Sequence, residues 1–267
     1  MISSYAGPDN WTPTINKILD SHPYLNDMDL HISINVISFD NSKKFNLLVL
    51  QESPAVLNYE NILNFVKTDK ECLKYYKVYS CIKELQHYPI VEYIHPSNIS
   101  WINTPTFFPK KNKMISMISS TKNFLSGHKF RINVLNSVKD IVDVYGRGFN
   151  EITTKEEGLL DYHYSIAIEN DDTNNYFSEK LIDCFMTCTI PIYWGSNYAY
   201  TVFNPNGIIN LKNYSNFRDI KNILKQQYYD NLSAIEENYF IAQKENRSLS
   251  HTLKTILIKL YNEHYNK

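Results

Sequence analysis

The chain has 267 residues, and its 27 Lys and Arg are balanced by 28 Asp and Glu for a formal net charge of −1. Hydrophobic residues make up 43%, enough to bury a core, which excludes global disorder; the length suits one large domain or two of roughly 100–150 residues. The neutral balance and the lack of a polybasic run leave no electrostatic footprint for nucleic acid or a membrane surface.

In chain order, Gly7, Pro8, Pro13 and Pro23 mark the first 25 residues as irregular around one short helix, Thr14–Leu19. Leu30–Phe39 nearly alternates, with Ile32, Ile34, Val36 and Ile37, and predicts a strand. Asn46–Leu50 reads as a buried strand that feeds Gln51-Glu52-Ser53-Pro54, where proline stops regular structure. Asn58–Val66 has helical spacing, and Tyr75–Ile82 and Ile90–Ile94 are further strands. His95 to Pro109, rich in Pro, Asn, Ser and Thr, is the expected linker and domain boundary.

Beyond it the pattern is cleaner. Strands are expected at Met114–Ser119, Ile141–Tyr145, Tyr164–Ile168, Ile190–Trp194 and Gly207–Leu211. Helices are expected at Lys129–Val138, Leu159–Tyr162, Glu179–Thr187, Phe217–Tyr239 and Leu249–Tyr261. Strands alternating with helices argue for an α/β fold with a parallel sheet covered on both faces. Gly146-Arg147-Gly148 is a turn after a strand and lacks the third glycine of a dinucleotide fingerprint. Tyr193 and Trp194 read as core rather than as a sugar platform.

Cys72, Cys81, Cys184 and Cys188 lack the spacing of a disulfide framework or a zinc knuckle and read as small buried hydrophobes in a reducing compartment. No apolar run approaches the roughly 18 residues needed to span a bilayer, and no signal-peptide pattern opens the chain. The expectation is a cytoplasmic protein with no transmembrane segment and no nucleic-acid partner.

Two places carry chemistry. Glu52 ends an apolar strand, where ligands bind in open α/β sheets, and its carboxylate suits proton acceptance from a bound hydroxyl; the plainer reading is a strand-end acid in solvent. The second place begins with the strand Tyr164–Ile168, which delivers Glu169 and Asn170 to its carboxyl end. A polar loop follows, then Ser178 as N-cap and Glu179-Lys180 opening a helix. Free backbone N–H groups and a helix dipole make this a ready phosphate site, to which Lys180 adds a full charge. Glu179 suits the hydroxyls of a ribose, or else simply complements the dipole. Asp171-Asp172 invites a metal reading, but solvated loop acids are commoner.

Residues 163–211 resemble the donor-binding signature of glycosyltransferase family 10, the α-1,3/α-1,4-fucosyltransferases. The match runs from His163-Tyr164-Ser165-Ile166-Ala167-Ile168-Glu169-Asn170 through Tyr176-Phe177-Ser178-Glu179-Lys180-Leu181 and Ile190-Pro191-Ile192-Tyr193-Trp194-Gly195 to Phe203-Asn204-Pro205. Upstream, Val142-Asp143-Val144-Tyr145-Gly146-Arg147 and Glu52-Ser53-Pro54 resemble further family stretches, and Arg131 falls where a donor-phosphate arginine is expected.

The resemblance implies a GT-B type fold of two facing Rossmann-like domains: residues 1–110 binding the acceptor, 111–245 binding the nucleotide-sugar, and 246–267 a C-terminal helix packing back on the first domain. It implies an inverting transfer of a sugar, L-fucose from GDP-fucose by family default, to a glycan or glycoconjugate hydroxyl. Glu52 is then the general base, Arg131 and Lys180 hold the diphosphate, and Asn170, Tyr176 and Glu179 contact the nucleotide and ribose. Glu169 sits near the transferred sugar. No cofactor and no divalent metal are required if Arg and Lys neutralise the leaving group.

The sequence departs from the family at His163, where lysine is usual. If that position touches the donor, His163 signals a different GDP-hexose or a UDP-sugar. Arg131 is a loose assignment, with His128 or Lys129 as substitutes. Lacking an anchor and stem, the chain is expected to be of the bacterial or viral type. A non-catalytic nucleotide- or carbohydrate-binding relative is the reading from a different class.

Overall fold

The computed structural model describes the backbone of residues 3–6 and all atoms of residues 11–96, 98–173 and 175–266. Gly7 and Pro8, read above as irregular, lie outside them, as do Ser97 in the expected linker and Asn174 in the loop before Ser178. The chain divides into two compact units, residues 1–97 with 247–267, and residues 98–246. Among the described residues no helix is long and apolar enough to cross a membrane.

The first unit is built on a parallel sheet of β1 (Ser3–Ala6), β2 (Leu30–Ile34), β3 (Phe45–Leu50), β4 (Lys77–Ser80) and β5 (Val91–Tyr93), in that spatial order. Strand side chains alternate between faces, so β3 is buried on both. Leu47 and Val49 join Ile15 and Ile18 of α1 (Thr12–Ser21) on one face. The same layer takes Leu249, Leu253, Ile256, Leu257 and Leu260 of the terminal helix Leu249–His264. Leu48 and Leu50 join Ile62, Phe65 and Val66 of α3 (Tyr59–Thr68) on the other.

Three expectations in this unit shift. β1 falls in the stretch expected to be irregular, because four residues are too few for a period to show. The strand expected over Leu30–Phe39 ends at Ile34, since Asn35 turns into the left-handed region (φ 57°) and its Oδ1 accepts from Gln51 N at 2.8 Å. Pro54 opens a short helix, α2 (Pro54–Leu57), at a position where its missing N–H costs no hydrogen bond.

The second unit is a parallel sheet of β6 (Lys113–Ile118), β7 (Asp143–Tyr145), β8 (Tyr162–Ile168), β9 (Ile190–Trp194) and β10 (Ile209–Asn210), in the spatial order β10-β9-β8-β6-β7. The chain winds outward from β6 to β7, then returns to place β8 on the other side of β6. That reversal creates a topological switch point between β6 and β8, the place in open α/β sheets where ligands bind. Val134, Leu135 and Val138 of α4 (Ser126–Val138) pack on one face against Met117, Ile166 and Ile192. Leu181, Ile182 and Phe185 of α5 (Glu179–Met186) pack on the other against Ala167 and Tyr193.

α4 starts at Ser126, three residues before the expected start, so Gly127 and His128 belong to its first turn. The short helix expected at Leu159–Tyr162 is instead a 3₁₀ turn at Lys155–Gly158, and Tyr162 already begins β8. The helix expected over Phe217–Tyr239 is broken into a 3₁₀ segment, Phe217–Asn222, and helices α7 (Lys225–Asp230) and α8 (Leu232–Glu245). Ile220, Ile223 and Tyr228 anchor in the core while Leu224, which one continuous helix would set on the same face, stands exposed, so the segment packs as separate pieces. A further short helix, α6 (Ala199–Val202), follows β9. Gly146 and Gly148 both take positive φ (107° and 87°), as the turn after β7 requires. All four cysteines are buried and unpaired as disulfides.

Candidate active site

The carboxyl ends of β6 and β8 gather the charged groups of the second unit. β8 delivers Glu169 and Asn170, and Ser178 then caps α5, its hydroxyl accepting from Lys180 N at 3.4 Å. Glu169 is completely buried. Its Oε1 accepts from Ser178 N at 2.8 Å, its Oε2 accepts from Ser178 Oγ at 2.6 Å, and Lys180 Nζ lies 3.5 Å from Oε2. Burial pushes the Glu169 carboxyl above its ordinary range, against the pull of Lys180 and Ser178.

Lys180 Nζ also lies 3.4 Å from Glu179 Oε1, and Lys155 Nζ lies 3.6 Å from the same oxygen. Burial works against the Glu179 carboxylate, but the Lys180 and Lys155 ammonium groups outweigh it and hold the group down at about 2. Burial likewise opposes the Lys180 charge, and Glu179 and Glu169 outweigh that too, keeping the ammonium above its ordinary value. Lys180 and Glu179 each keep about a quarter of their side-chain surface open (24% and 23%), while Glu169 keeps none. The pair Glu179–Lys180 therefore presents one acceptor and one cation outward, with Glu169 behind them.

The N-terminus of α4 meets the same strand end. An added Cβ on Gly127 would stand 2.4 Å from Asn170 O and 2.5 Å from Glu169 O, so only glycine lets helix and strand approach this closely. His128 Nε2 and Asn170 Oδ1 are 3.2 Å apart, which joins α4 to β8 by a side-chain hydrogen bond. Burial, then the charge of Arg131, lowers the His128 pKa and favours the neutral imidazole. Arg131, one turn further, is buried; its Nη2 reaches Ser120 Oγ and Lys122 O at 3.4 Å, and its Nε has no partner. Two cations, a helix N-terminus and an orphaned guanidinium N–H thus converge beside the switch point, an arrangement suited to a diphosphate.

Other expected residues fall as follows. Tyr176 is buried in the loop ahead of α5. Asp171 Oδ1 accepts from Thr173 N at 3.1 Å, and Asp172 pairs with Lys212 at 2.9 Å. Among the described residues no cluster of three or more His, Cys, Asp or Glu could hold a metal ion. Tyr193 is fully buried, and Trp194 stacks on Phe130 at 4.5 Å. Glu52, half-buried, follows β3, the central strand of the first sheet, at its carboxyl end; its carbonyl accepts from Cys81 Sγ at 3.5 Å.

Position sets two of the expected residues apart from the open pair Glu179–Lys180. His163 lies at the amino end of β8, so six residues separate it from Glu169, about 20 Å along an extended strand. It is 1% exposed, its Nδ1 lies 2.7 Å from Lys113 O, and its ring sits edge-on to Tyr228. It is not brought together with the site. Glu169, expected beside the transferred sugar, has no open surface and both oxygens engaged by Ser178, and it stands behind Lys180. Sequence reasoning missed Lys155. It stands 24 residues before Glu179 in a 3₁₀ turn without a motif, and only the fold brings it there.

The model of "Glycosyltransferase family 10 (fucosyltransferase) C-term" matches residues 108–254, more than half of the chain. An alpha-(1,3)-fucosyltransferase of Helicobacter pylori is 30% identical over 135 residues, 49% of this chain and 28% of that protein's length. Among solved structures, a variant of S. aureus TarM in complex with UDP superposes with a TM-score of 0.54 at 13% identity, over 92% of this chain and 58% of that one. The pneumococcal O-GlcNAc transferase GtfA superposes with a TM-score of 0.52 at 14% identity, over 93% and 59%. These likenesses establish the GT-B type of fold. With the family model covering the whole of the switch-point site, the chain belongs to glycosyltransferase family 10, the fucosyltransferase family.

Proposed function

We propose that this protein is an inverting glycosyltransferase that moves L-fucose from GDP-fucose to a hydroxyl of a glycan acceptor. The observation that carries the reading is the convergence of Lys180, Arg131 and the α4 N-terminus at the carboxyl ends of β6 and β8, with Glu179 open beside them. Lys180 and Arg131 hold the diphosphate. Glu179, held as a carboxylate by the Lys180 and Lys155 ammonium groups, accepts hydrogen bonds from the ribose hydroxyls. Asn170 and Tyr176 complete the nucleoside site. Glu169 acts through its hydrogen bonds with Ser178 and as the fixed counter-charge of Lys180.

In the step itself, the acceptor oxygen bonds to the anomeric carbon as the bond from that carbon to the β-phosphate oxygen breaks, with inversion. The acceptor proton passes to a carboxylate, which the Glu-Ser-Pro resemblance assigns to Glu52. The electron pair departs with GDP, whose developing charge is met by Lys180 and Arg131. Two side-chain cations beside a helix N-terminus supply the charge that a divalent ion supplies elsewhere, so we propose a metal-independent transfer.

His163, the motive for a different GDP-hexose or a UDP-sugar, lies at the amino end of β8, six positions from Glu169, which supports the family-default donor. UDP remains the informative comparison, because the TarM and GtfA structures contain it. A thermal-shift panel of GDP, UDP, CDP and dTDP tests the reading. GDP is expected to give the largest rise in Tm, and a larger rise with UDP overturns the choice of donor.

A further inference from the structure

We propose that Lys155 is a positioning residue for donor recognition, acting through Glu179 to fix the ribose-binding carboxylate. The inference rests on the reading of Glu179 given above. Lys155 lies in the 3₁₀ turn Lys155–Gly158, and its Nζ is shared between two acids one helical turn apart on α5. It lies 2.6 Å from Asp183 Oδ2 and 3.6 Å from Glu179 Oε1. Its side chain is 18% exposed, and its ammonium also stands 4.6 Å from the centre of the Trp101 ring.

Asp183 is itself fixed. Its Oδ1 accepts from Ser100 Oγ at 2.7 Å and from Trp101 N at 2.8 Å, and 2% of its side chain is exposed. The neighbouring Glu156 holds the next residues of the same segment, accepting from Asn103 N at 2.5 Å and Thr104 N at 3.3 Å. The turn is thus bound to the segment 100–104 directly through Glu156 and by way of Asp183 on α5, which leaves Lys155 little freedom. Glu179 then sits between two cations of different character. Lys180 is its chain neighbour, held by Ser178 and Glu169 and needed for phosphate. Lys155 is anchored to a buried acid, Asp183, at 2.6 Å. Without Lys155, the ion pair of Glu179 with Lys180 at 3.4 Å is unopposed from the Lys155 side, and the carboxylate swings toward Lys180, blocking the phosphate cation and withdrawing from the ribose.

The test measures binding of GDP and of 2′,3′-dideoxy-GDP to the full chain by calorimetry, with Tm recorded for each variant. Two hydroxyls hydrogen-bonded to a carboxylate predict that the wild type prefers GDP about tenfold. Lys155→Gln should reduce that preference to about twofold or less, and Lys155→Arg should restore it. Because Lys155→Gln leaves Asp183 buried without its cation, Lys155→Gln/Asp183→Asn is measured beside it, which removes both charges together. The double variant is expected to regain Tm and still to lack the preference. If the double variant regains the preference together with Tm, Lys155 serves stability alone and the proposal fails. An unchanged preference in Lys155→Gln overturns it as well. If the wild type itself binds both nucleotides equally, the ribose role of Glu179 falls, and the proposal with it.

Discussion

Glu169 Oε2 and Lys180 Nζ lie 3.5 Å apart, with the Ser178 hydroxyl between them, donating to Glu169 at 2.6 Å and accepting from Lys180 Nζ at 3.1 Å. A buried carboxylate alone would be costly, and its cost fixes the position of the lysine. Lys180 is held where its ammonium lies 3.5 Å from Glu169 and 3.4 Å from Glu179 while a quarter of the side chain stays open (24%). The site thus carries a cation whose orientation is set before a ligand arrives, the property that electrostatic stabilisation of a leaving group needs.

Lys180→Met should therefore do two things. Loss of one charge-assisted contact to phosphate is worth about 1.5–3 kcal/mol, so GDP affinity should fall about 10- to 100-fold. Glu169 loses its cation, and the fold should weaken more at pH 8 than at pH 5, since the abandoned carboxyl is protonated more readily at the lower pH. Calorimetry with GDP and melts at the two pH values check both. Unchanged affinity would remove Lys180 from the diphosphate site.

Glu52→Gln should separate binding from transfer. The amide keeps the shape at the end of β3 but accepts no proton. GDP binding should stay within about twofold of wild type, while the transfer rate falls by about 10²–10⁴, the usual worth of a general base. Transfer at the wild-type rate would assign the base to another residue.

The readable part of this site is the part that is local in sequence. The buried strand ending at Asn170 and the cap Ser178 before Glu179-Lys180 are written in consecutive residues, and period and capping chemistry find them. The pairing of β6 with β8 is not, because β7 intervenes in the chain, and no local pattern says which strand lies beside which. Lys155 was hidden for the same reason. His163 misled in the opposite way. It is close to Glu169 in sequence, but a strand converts six residues into about 20 Å and puts the two at opposite ends of the sheet. The helices beyond Phe217 were overextended because Ile220, Ile223 and Tyr228 suit one amphipathic face, and the break at Leu224 shows only in what each side chain packs against.

Gly127→Ala tests the approach of α4 to β8. By helix propensity alone, alanine should stabilise by about 1 kcal/mol. The added Cβ, however, would meet the backbone of Asn170 and Glu169 at 2.4–2.5 Å, and a backbone gives way only by moving the helix. Overpacking of this kind costs about 1–3 kcal/mol and displaces His128 and Arg131 together. The expected outcome is a lower Tm and weaker GDP binding, read from melts and calorimetry on one variant. A raised Tm would mean that helix and strand are not held at this distance.

Lys111 predicts a pH dependence. Its Nζ is buried and donates to Thr187 O at 2.7 Å, Thr189 Oγ1 at 2.9 Å and Leu159 O at 3.3 Å, tying the chain before β6 to the segments that lead into β8 and β9. Burial pushes its pKa down to about 7, only partly opposed by Cys188, Cys184 and Asp161. Unfolded, the same group titrates near 10.4. Between those values the unfolded chain binds more protons than the folded one, so the lysine's contribution is fully present above the unfolded value and is lost as pH falls toward 7. The slope is up to about 1.4 kcal/mol per pH unit. Lys111→Met cannot titrate and leaves acceptors short of a donor, at a cost of about 1–3 kcal/mol. Urea melts of both proteins should therefore show the wild type more stable at pH 9, with the gap narrowing toward pH 7. Parallel stability curves across that range would show that Lys111 is charged in the folded protein throughout.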